Sequence, residues 1–68
     1  MNNIEDALKY IENTGGSPNY EWFIEDAEPI GEMLYIDLFK KGYVYKRDGK
    51  INLTEEGQKE LERINSVA

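Results

Sequence analysis

The chain has 68 residues, of which 14 are acidic and 8 basic, so its formal net charge is −6 at neutral pH. One small domain spanning residues 1–68 is the most that this length holds, which excludes a two-domain enzyme. The sequence contains neither Cys nor His, so disulfides and the usual zinc ligands are absent and few groups remain for acid–base catalysis. We therefore expect a non-enzymatic protein without a cofactor, a metal or an evident small-molecule ligand.

The distribution of apolar residues predicts a cytoplasmic protein that does not contact membranes. No apolar run approaches the roughly 20 residues of a membrane span, and the first residues lack the basic start and apolar stretch of a signal peptide. The hydrophobic content of 40% is sufficient for a folded globule. The excess of acid argues against indiscriminate attraction to nucleic acid.

Three helices are predicted in the first part of the chain. The first covers residues 3–14, with Asn2 as its N-cap in a capping box with Glu5, and Gly15-Gly16 ending it. The second begins with Ser17 as N-cap and Pro18 at the first helical position. Apolar residues at helical spacing define the inner stripe of the first helix: Ile4, Ala7, Leu8 and Ile11.

The second predicted helix contains two adjacent aromatic residues, Trp22 and Phe23, which we interpret as core or as a packing cover because so small a domain needs its aromatic side chains. The acidic run in residues 25–28 is interpreted as a turn at the helix end and not as a calcium site, because it lacks the spacing of an EF-hand loop. A third helix is predicted from Glu28-Pro29 to Lys41, where Gly42 ends it.

After Gly42 the pattern changes to a β-hairpin with Asp48-Gly49 as a two-residue turn. This turn pairs Arg47 with Lys50 and Val44 with Leu53. The register predicts that Val44, Ile51 and Leu53 face the core, against Leu38 and Leu61, and that Tyr43, Tyr45 and Asn52 face outward. Thr54 then caps a last helix, from Glu55 to about Asn65, whose seam consists of Gly57, Leu61 and Ile64.

Two segments resemble the winged-helix family. Leu38-Phe39-Lys40-Lys41-Gly42-Tyr43-Val44 is similar to the family's junction between recognition helix and wing. Ile51-Asn52-Leu53-Thr54-Glu55-Glu56-Gly57 looks like the return strand and the start of the closing helix in bacterial transcriptional regulators of the MarR and PadR kinds. The resemblance covers roughly residues 29–64. It implies a small α+β winged helix with three helices, a hairpin wing and a closing helix, and a function in DNA binding and transcription regulation.

The exposed side of the third helix does not suit the reading of a DNA groove. Steps of about 100° per residue place Ile30, Gly31, Leu34, Tyr35 and Leu38 inward. The outward residues are Glu32, Met33, Ile36, Asp37 and Lys40. Carboxylates there would repel phosphates. Met33, Ile36 and Phe39 suit an apolar protein surface, either of a second copy or of a partner protein. The predicted protein interface therefore consists of Glu32, Met33, Ile36, Asp37 and Phe39.

The wing carries the opposite charge. Five of the eight basic residues lie between positions 40 and 50, whereas residues 1–37 hold nine acids against the single base Lys9. A basic wing can grip a phosphate backbone, although edge lysines also occur simply to prevent aggregation. The predicted nucleic-acid contacts are Lys40, Lys41, Tyr45, Lys46, Arg47 and Lys50.

Two functional hypotheses therefore stay open. In the first, the protein is a DNA-associated regulator whose wing contacts the phosphate backbone, as a dimer. In the second, it is a small inhibitor or adaptor of the kind found in phages and mobile elements, which binds a protein partner through its acidic surface and the apolar face of the third helix.

Overall fold

The computed structural model describes residues 1–66, which form four helices and one antiparallel hairpin. The predicted α+β class is confirmed. None of these helices is long and apolar enough to cross a membrane. In chain order the elements are α1 (Ile4–Asn13), α2 (Tyr20–Asp26), α3 (Gly31–Lys40), β1 (Val44–Arg47), β2 (Lys50–Leu53) and α4 (Glu55–Ser66).

The N-cap of α1 is Asn3, so the prediction of Asn2 was wrong by one residue. The backbone of Asn3 is extended, and its Oδ1 accepts a hydrogen bond from the N–H of Asp6 at 2.8 Å. This bond satisfies one of the free N–H groups of the first turn. The predicted stripe is confirmed, because Ala7, Leu8 and Ile11 are buried and Ile4 packs partly against the core.

The N-cap of α2 is Asn19, two residues after the predicted Ser17. Its side chain accepts hydrogen bonds from the N–H groups of Glu21 and Trp22 at 2.9 and 3.4 Å. The helix begins late because the preceding segment is extended along β2, where the Pro18 carbonyl accepts from the N–H of Ile51 at 2.9 Å. Ser17 donates instead to the side chain of Asn52.

Helix α3 begins at Gly31, later than the predicted Glu28-Pro29. The N–H of Ile30 donates to the carbonyl of Ala27 at 3.0 Å and closes a turn that contains Pro29, so these residues are not helical. The last helical residue is Lys40, one before the predicted Lys41, which is the C-cap. The predicted stop at Gly42 is confirmed, because Gly42 has a φ of +77°. Such a left-handed backbone suits Gly, which lacks a Cβ.

The register of the hairpin is confirmed, with Val44 opposite Leu53 and Arg47 opposite Lys50. Asp48 and Gly49 have φ values of +53° and +75°, as a type I′ turn requires. Val44 and Ile51 are buried, whereas Leu53 is only partly buried.

Two of the three outward predictions for the hairpin need correction. Tyr45 is exposed as expected, but Tyr43 packs partly against the core because its backbone lies under Gly57 of α4. Asn52 is half-buried because the segment before α2 covers it and Ser17 donates to its Oδ1 at 2.7 Å. The outer side of the sheet is therefore less open than alternation alone predicts.

Helix α4 covers the hairpin as predicted. Thr54 caps it by accepting a hydrogen bond from the N–H of Gly57 at 3.0 Å, and the Thr54 hydroxyl also donates to the Gly42 carbonyl. The core is formed by all six elements and by the residue after α2: Ala7, Leu8, Ile11, Phe23, Ala27, Leu34, Leu38, Val44, Ile51, Leu61 and Ile64. Phe23 is fully buried, but Trp22 is 66% exposed, so of the two predicted roles, core or packing cover, the core is wrong for Trp22.

Candidate interaction surfaces

The outward side of α3 exposes three large apolar side chains, which we call the α3 strip: Met33, Ile36 and Phe39. Their exposed fractions are 69%, 47% and 57%. The opposite side of the helix is buried through Gly31, Leu34 and Leu38, as predicted. Large apolar groups that are gathered on one side of an otherwise packed helix are typical of a contact surface.

Aromatic packing supports one end of the α3 strip. The ring of Phe39 stacks on Tyr35 with a centroid distance of 6.3 Å and an angle of 23°. The Tyr35 ring in turn packs edge-to-face against the Tyr20 ring of α2, with a centroid distance of 5.1 Å. Burial, together with the neighbouring Tyr20, raises the pKa of the Tyr35 phenol. These contacts fix Phe39 in position and connect the strip to α2.

Helix α3 lies very close to α2, and this contact fixes the orientation of the strip. A Cβ on Gly31 would be only 2.5 Å from the carbonyl oxygen of Ile24. A side chain at this position would push the two helices apart. The glycine therefore allows α3 to rest directly on the backbone of α2.

The charged neighbours of the α3 strip are exposed and available to a partner. Glu32 lies in the first turn of α3 and Lys40 in the last, and Asp37 lies beside the strip. Within residues 1–66, no ion pair involves any of these three side chains. All five predicted interface residues are thus on the accessible surface of one helix.

The predicted basic residues do not form one patch. Lys41 lines a cavity of about 410 Å³ together with Glu5 of α1 and Glu60 and Arg63 of α4. A hydrogen bond from Arg63 holds the pKa of the Glu60 carboxyl below its usual range, and the positive charges of Arg63 and Lys41 act in the same direction. The ammonium of Lys41 therefore belongs to a mixed-charge cluster and not to the wing.

Lys46 is also separated from the remaining wing residues. Its Nζ lies 4.2 Å from the centroid of the Tyr20 ring, a cation–π contact. It shares its side of the hairpin with its cross-strand neighbour Ile51, whereas Arg47 and Lys50 project to the opposite side. Lys46 therefore lies next to the aromatic rings that support the α3 strip, those of Tyr20, Tyr35 and Phe39.

The outer side of the hairpin carries Tyr45, Arg47 and Lys50. Arg47 and Lys50 are cross-strand neighbours and both are exposed. Lys50 also lines a cavity of about 350 Å³ together with Trp22, Tyr10 and Pro18. The basic surface is therefore limited to two adjacent cations beside an exposed indole ring.

Trp22 lies on the surface, which contradicts one of its two predicted roles, a place in the core. Adjacent helical residues point about 100° apart, and of the two aromatic residues in α2 only Phe23 is turned to the core. The four-residue spacing of Phe23 and Ala27, both buried, was the available signal. It assigns the core to Phe23 and leaves Trp22 outside.

The acidic residues around the end of α2 form a structural contact. Asp26 accepts a hydrogen bond from the Tyr10 hydroxyl at 2.6 Å. Burial, this hydrogen bond and the negative charge of Asp26 raise the pKa of Tyr10 to about 12. Among residues 1–66, no group of three or more acidic side chains is placed to hold a metal ion.

No protein-family model, curated protein or solved structure matches the chain. The surfaces described above are therefore the basis for assigning a function.

Proposed function

We propose that this chain is a non-enzymatic binding module of the winged-helix type that recognises another protein surface through the outward side of α3. The single observation that carries this proposal is the α3 strip. Three large apolar side chains are 47% to 69% exposed on one side of a helix whose other side is packed into the core. Burial of such side chains against a partner supplies most of the binding free energy at protein interfaces.

The charges around the strip favour a protein over a DNA groove. Glu32 and Asp37 flank the apolar residues, and their carboxylates would face the phosphate backbone if α3 entered a groove. At a protein interface the same carboxylates take the position of a polar rim around an apolar centre. The composition of this surface therefore supports protein recognition.

The winged-helix type is supported by the order of the elements and by the two junctions that carried the resemblance. Gly42 turns the chain directly from α3 into β1, and the Thr54 cap leads directly from β2 into α4. In this arrangement α3 is the element that such domains present to a ligand. We propose that the same element here presents the α3 strip.

The proposal is tested with Ile36→Asp, because Ile36 lies between Met33 and Phe39. The control is Tyr45→Asp, which places the same charge at an exposed position of the hairpin. Partners captured from an extract of the native host by the tagged chain are quantified by mass spectrometry. We expect Ile36→Asp to reduce specific capture by about tenfold or more, and Tyr45→Asp to preserve it. Full retention by a folded Ile36→Asp would contradict the proposal.

A second candidate function is contact with a DNA backbone, supported by the exposed neighbours Arg47 and Lys50. If each pairs with one phosphate, the variant Arg47→Gln/Lys50→Gln flattens the dependence of log affinity on log salt by about two units. Fluorescence anisotropy with a labelled duplex measures this slope. The absence of binding by the wild type at ~50 mM salt, where backbone contacts are strong, would remove this candidate.

A further inference from the structure

The residues along α3 form a row whose two ends carry opposite charges. Glu32, Ile36 and Lys40 are spaced four residues apart, so they follow one i±4 ridge on the exposed side of the helix. Met33 and Phe39 lie on opposite flanks of this ridge. The row thus has an acid at its beginning, an apolar residue in its middle and a base at its end.

Two such rows have complementary charges only when the two helices are antiparallel. When two copies of α3 pack in antiparallel orientation with their Ile36 residues near the twofold axis, Glu32 of each copy lies beside Lys40 of the other. A parallel arrangement would instead place Glu32 beside Glu32 and Lys40 beside Lys40. Pairs of i±4 ridges align at a crossing angle of about −50°, the most common class of helix packing.

We infer that the α3 strip binds a second copy of this chain, in a twofold antiparallel pair of α3 helices with two Glu32–Lys40 ion pairs at its ends. This inference rests on the proposed function and specifies its partner. A twofold axis uses the same surface of both copies, so Met33 and Phe39 of each copy fill the grooves beside the ridge of the other. One helix per copy gives a small interface, and small interfaces associate weakly.

The charge of the protein sets the conditions for the experiment. Each copy carries −6, and the resulting repulsion is screened over a Debye length of about 8 Å at ~0.15 M salt. Groups that touch within an interface are screened less. Sedimentation equilibrium over a wide range of protein concentrations in this salt is expected to show a weak reversible dimer of the wild type. A wild type that stays monomeric at every concentration overturns the inference, but leaves the capture test of the proposed function standing.

Charge reversal tests the direction and register of the pair. Glu32→Lys places two lysines beside each other at both ends, and Lys40→Glu places two carboxylates there. Each variant alone is expected to associate at least about tenfold more weakly than the wild type. An equal mixture of the two variants restores both ion pairs in the heterodimer, and the double variant Glu32→Lys/Lys40→Glu restores them in the homodimer.

The control mixture contains Glu62→Lys in place of Glu32→Lys. Glu62→Lys reverses a charge at an exposed position of α4. Both variants change the net charge from −6 to −4, and Lys40→Glu changes it to −8, so the two mixtures differ only in the place of one charge. Glu62→Lys keeps an intact α3 and is itself expected to form the wild-type homodimer. Its heterodimer with Lys40→Glu places two carboxylates together at one end, so this heterodimer is expected to be at least about tenfold weaker than that of Glu32→Lys with Lys40→Glu. A heterodimer as strong in this control as with Glu32→Lys, or no heterodimer with Glu32→Lys, overturns the inference.

Circular dichroism establishes that each variant is folded. Should a reversal disturb the helix, Glu32→Gln and Lys40→Gln remove the charges without adding repulsion. Each of these milder variants is expected to weaken the dimer, since each removes one partner of both ion pairs. If both variants associate as strongly as the wild type, the inference is also overturned.

Discussion

The backbone N–H of Tyr20 donates a hydrogen bond to the carbonyl oxygen of Gly49 at 2.8 Å. This bond fastens the turn of the hairpin to the first residue of α2, and the bridge between Asn19 and Lys50 lies directly beside it. The hairpin is therefore not a free arm, since β2 is bonded on one side to β1 and on the other to the segment before α2. The turn of the hairpin and the β2 edge thus adjoin the beginning of α2, where Glu21 is exposed.

Asn19→Ala is expected to destabilise the protein by about 1 kcal/mol, because the N–H groups of Glu21 and Trp22 lose the side chain that caps them. Urea denaturation followed by far-UV circular dichroism measures the change. Asn2→Ala is the matched control, since Asn2 is exposed and lies before the cap of α1. An equal effect of both substitutions would show that Asn19 does not stabilise α2 as a cap.

The contrast between Trp22 and Phe23 gives a second prediction. Phe23→Ala removes a fully buried ring from the core and is expected to cost about 3–5 kcal/mol, enough to unfold so small a domain. Trp22→Ala is expected to cost less than about 1 kcal/mol, because the indole is 66% exposed. Thermal denaturation compares the two. A large loss for Trp22→Ala would mean that the indole is a core group after all.

Local sequence signals predicted much of this fold, because they depend on spacing within one element. The Asp48-Gly49 turn determined the hairpin register, and the spacing of Leu34 and Leu38 identified the inward side of α3. The exposure of Met33 and Ile36 follows from the same spacing, so the α3 strip was predictable.

Long-range contacts account for most of the errors. The N–H of Ile51 bonds to Pro18, 33 residues earlier in the chain, and this contact delays the beginning of α2. The division of the basic residues has the same origin: Lys41 is drawn toward Glu60 of α4, and Lys46 lies over the ring of Tyr20 from α2. Their positions in the sequence predict one basic patch, but the packing of helices from distant parts of the chain separates the two lysines.

The burial of Tyr10 and its hydrogen bond to Asp26 predict a loss of stability in strong alkali. The pKa of the Tyr10 phenol is raised from 10.0 to about 12, so the folded state favours the protonated form. This contribution is fully present below pH 10 and is lost as the pH rises from 10 through about 12. The free energy of unfolding of Tyr10→Phe is expected to decline less than that of the wild type over this pH interval.

Urea denaturation at a series of pH values measures the decline, and the tyrosinate absorbance of the folded protein records the titration. Tyr45→Phe is the control for the loss of an exposed phenol. Tyr35→Phe is a useful companion, because burial also raises the pKa of Tyr35. Parallel curves for the wild type and Tyr10→Phe above pH 10 would contradict the raised pKa of Tyr10 in the folded protein.

The close contact between α4 and the hairpin gives the last prediction. A Cβ on Gly57 would be 2.0 Å from the carbonyl oxygen of Tyr43 and 2.9 Å from its carbon. Both are backbone atoms, so no side-chain rotation relieves the overlap. Gly57→Ala therefore forces α4 away from the hairpin and is expected to cost at least about 1–3 kcal/mol, although alanine favours an isolated helix by about 1 kcal/mol.

Gln58→Ala is the matched control, because Gln58 is the next residue of α4 and is exposed. Its effect on the free energy of unfolding is expected to be within about 0.5 kcal/mol. Urea denaturation of both variants measures the difference, and circular dichroism in the absence of urea reports whether Gly57→Ala still folds. A Gly57→Ala variant as stable as the wild type would show that α4 does not rest directly on the backbone of Tyr43. In that case the hairpin would lack the close cover that buries Val44 and Ile51, and their burial would need another explanation.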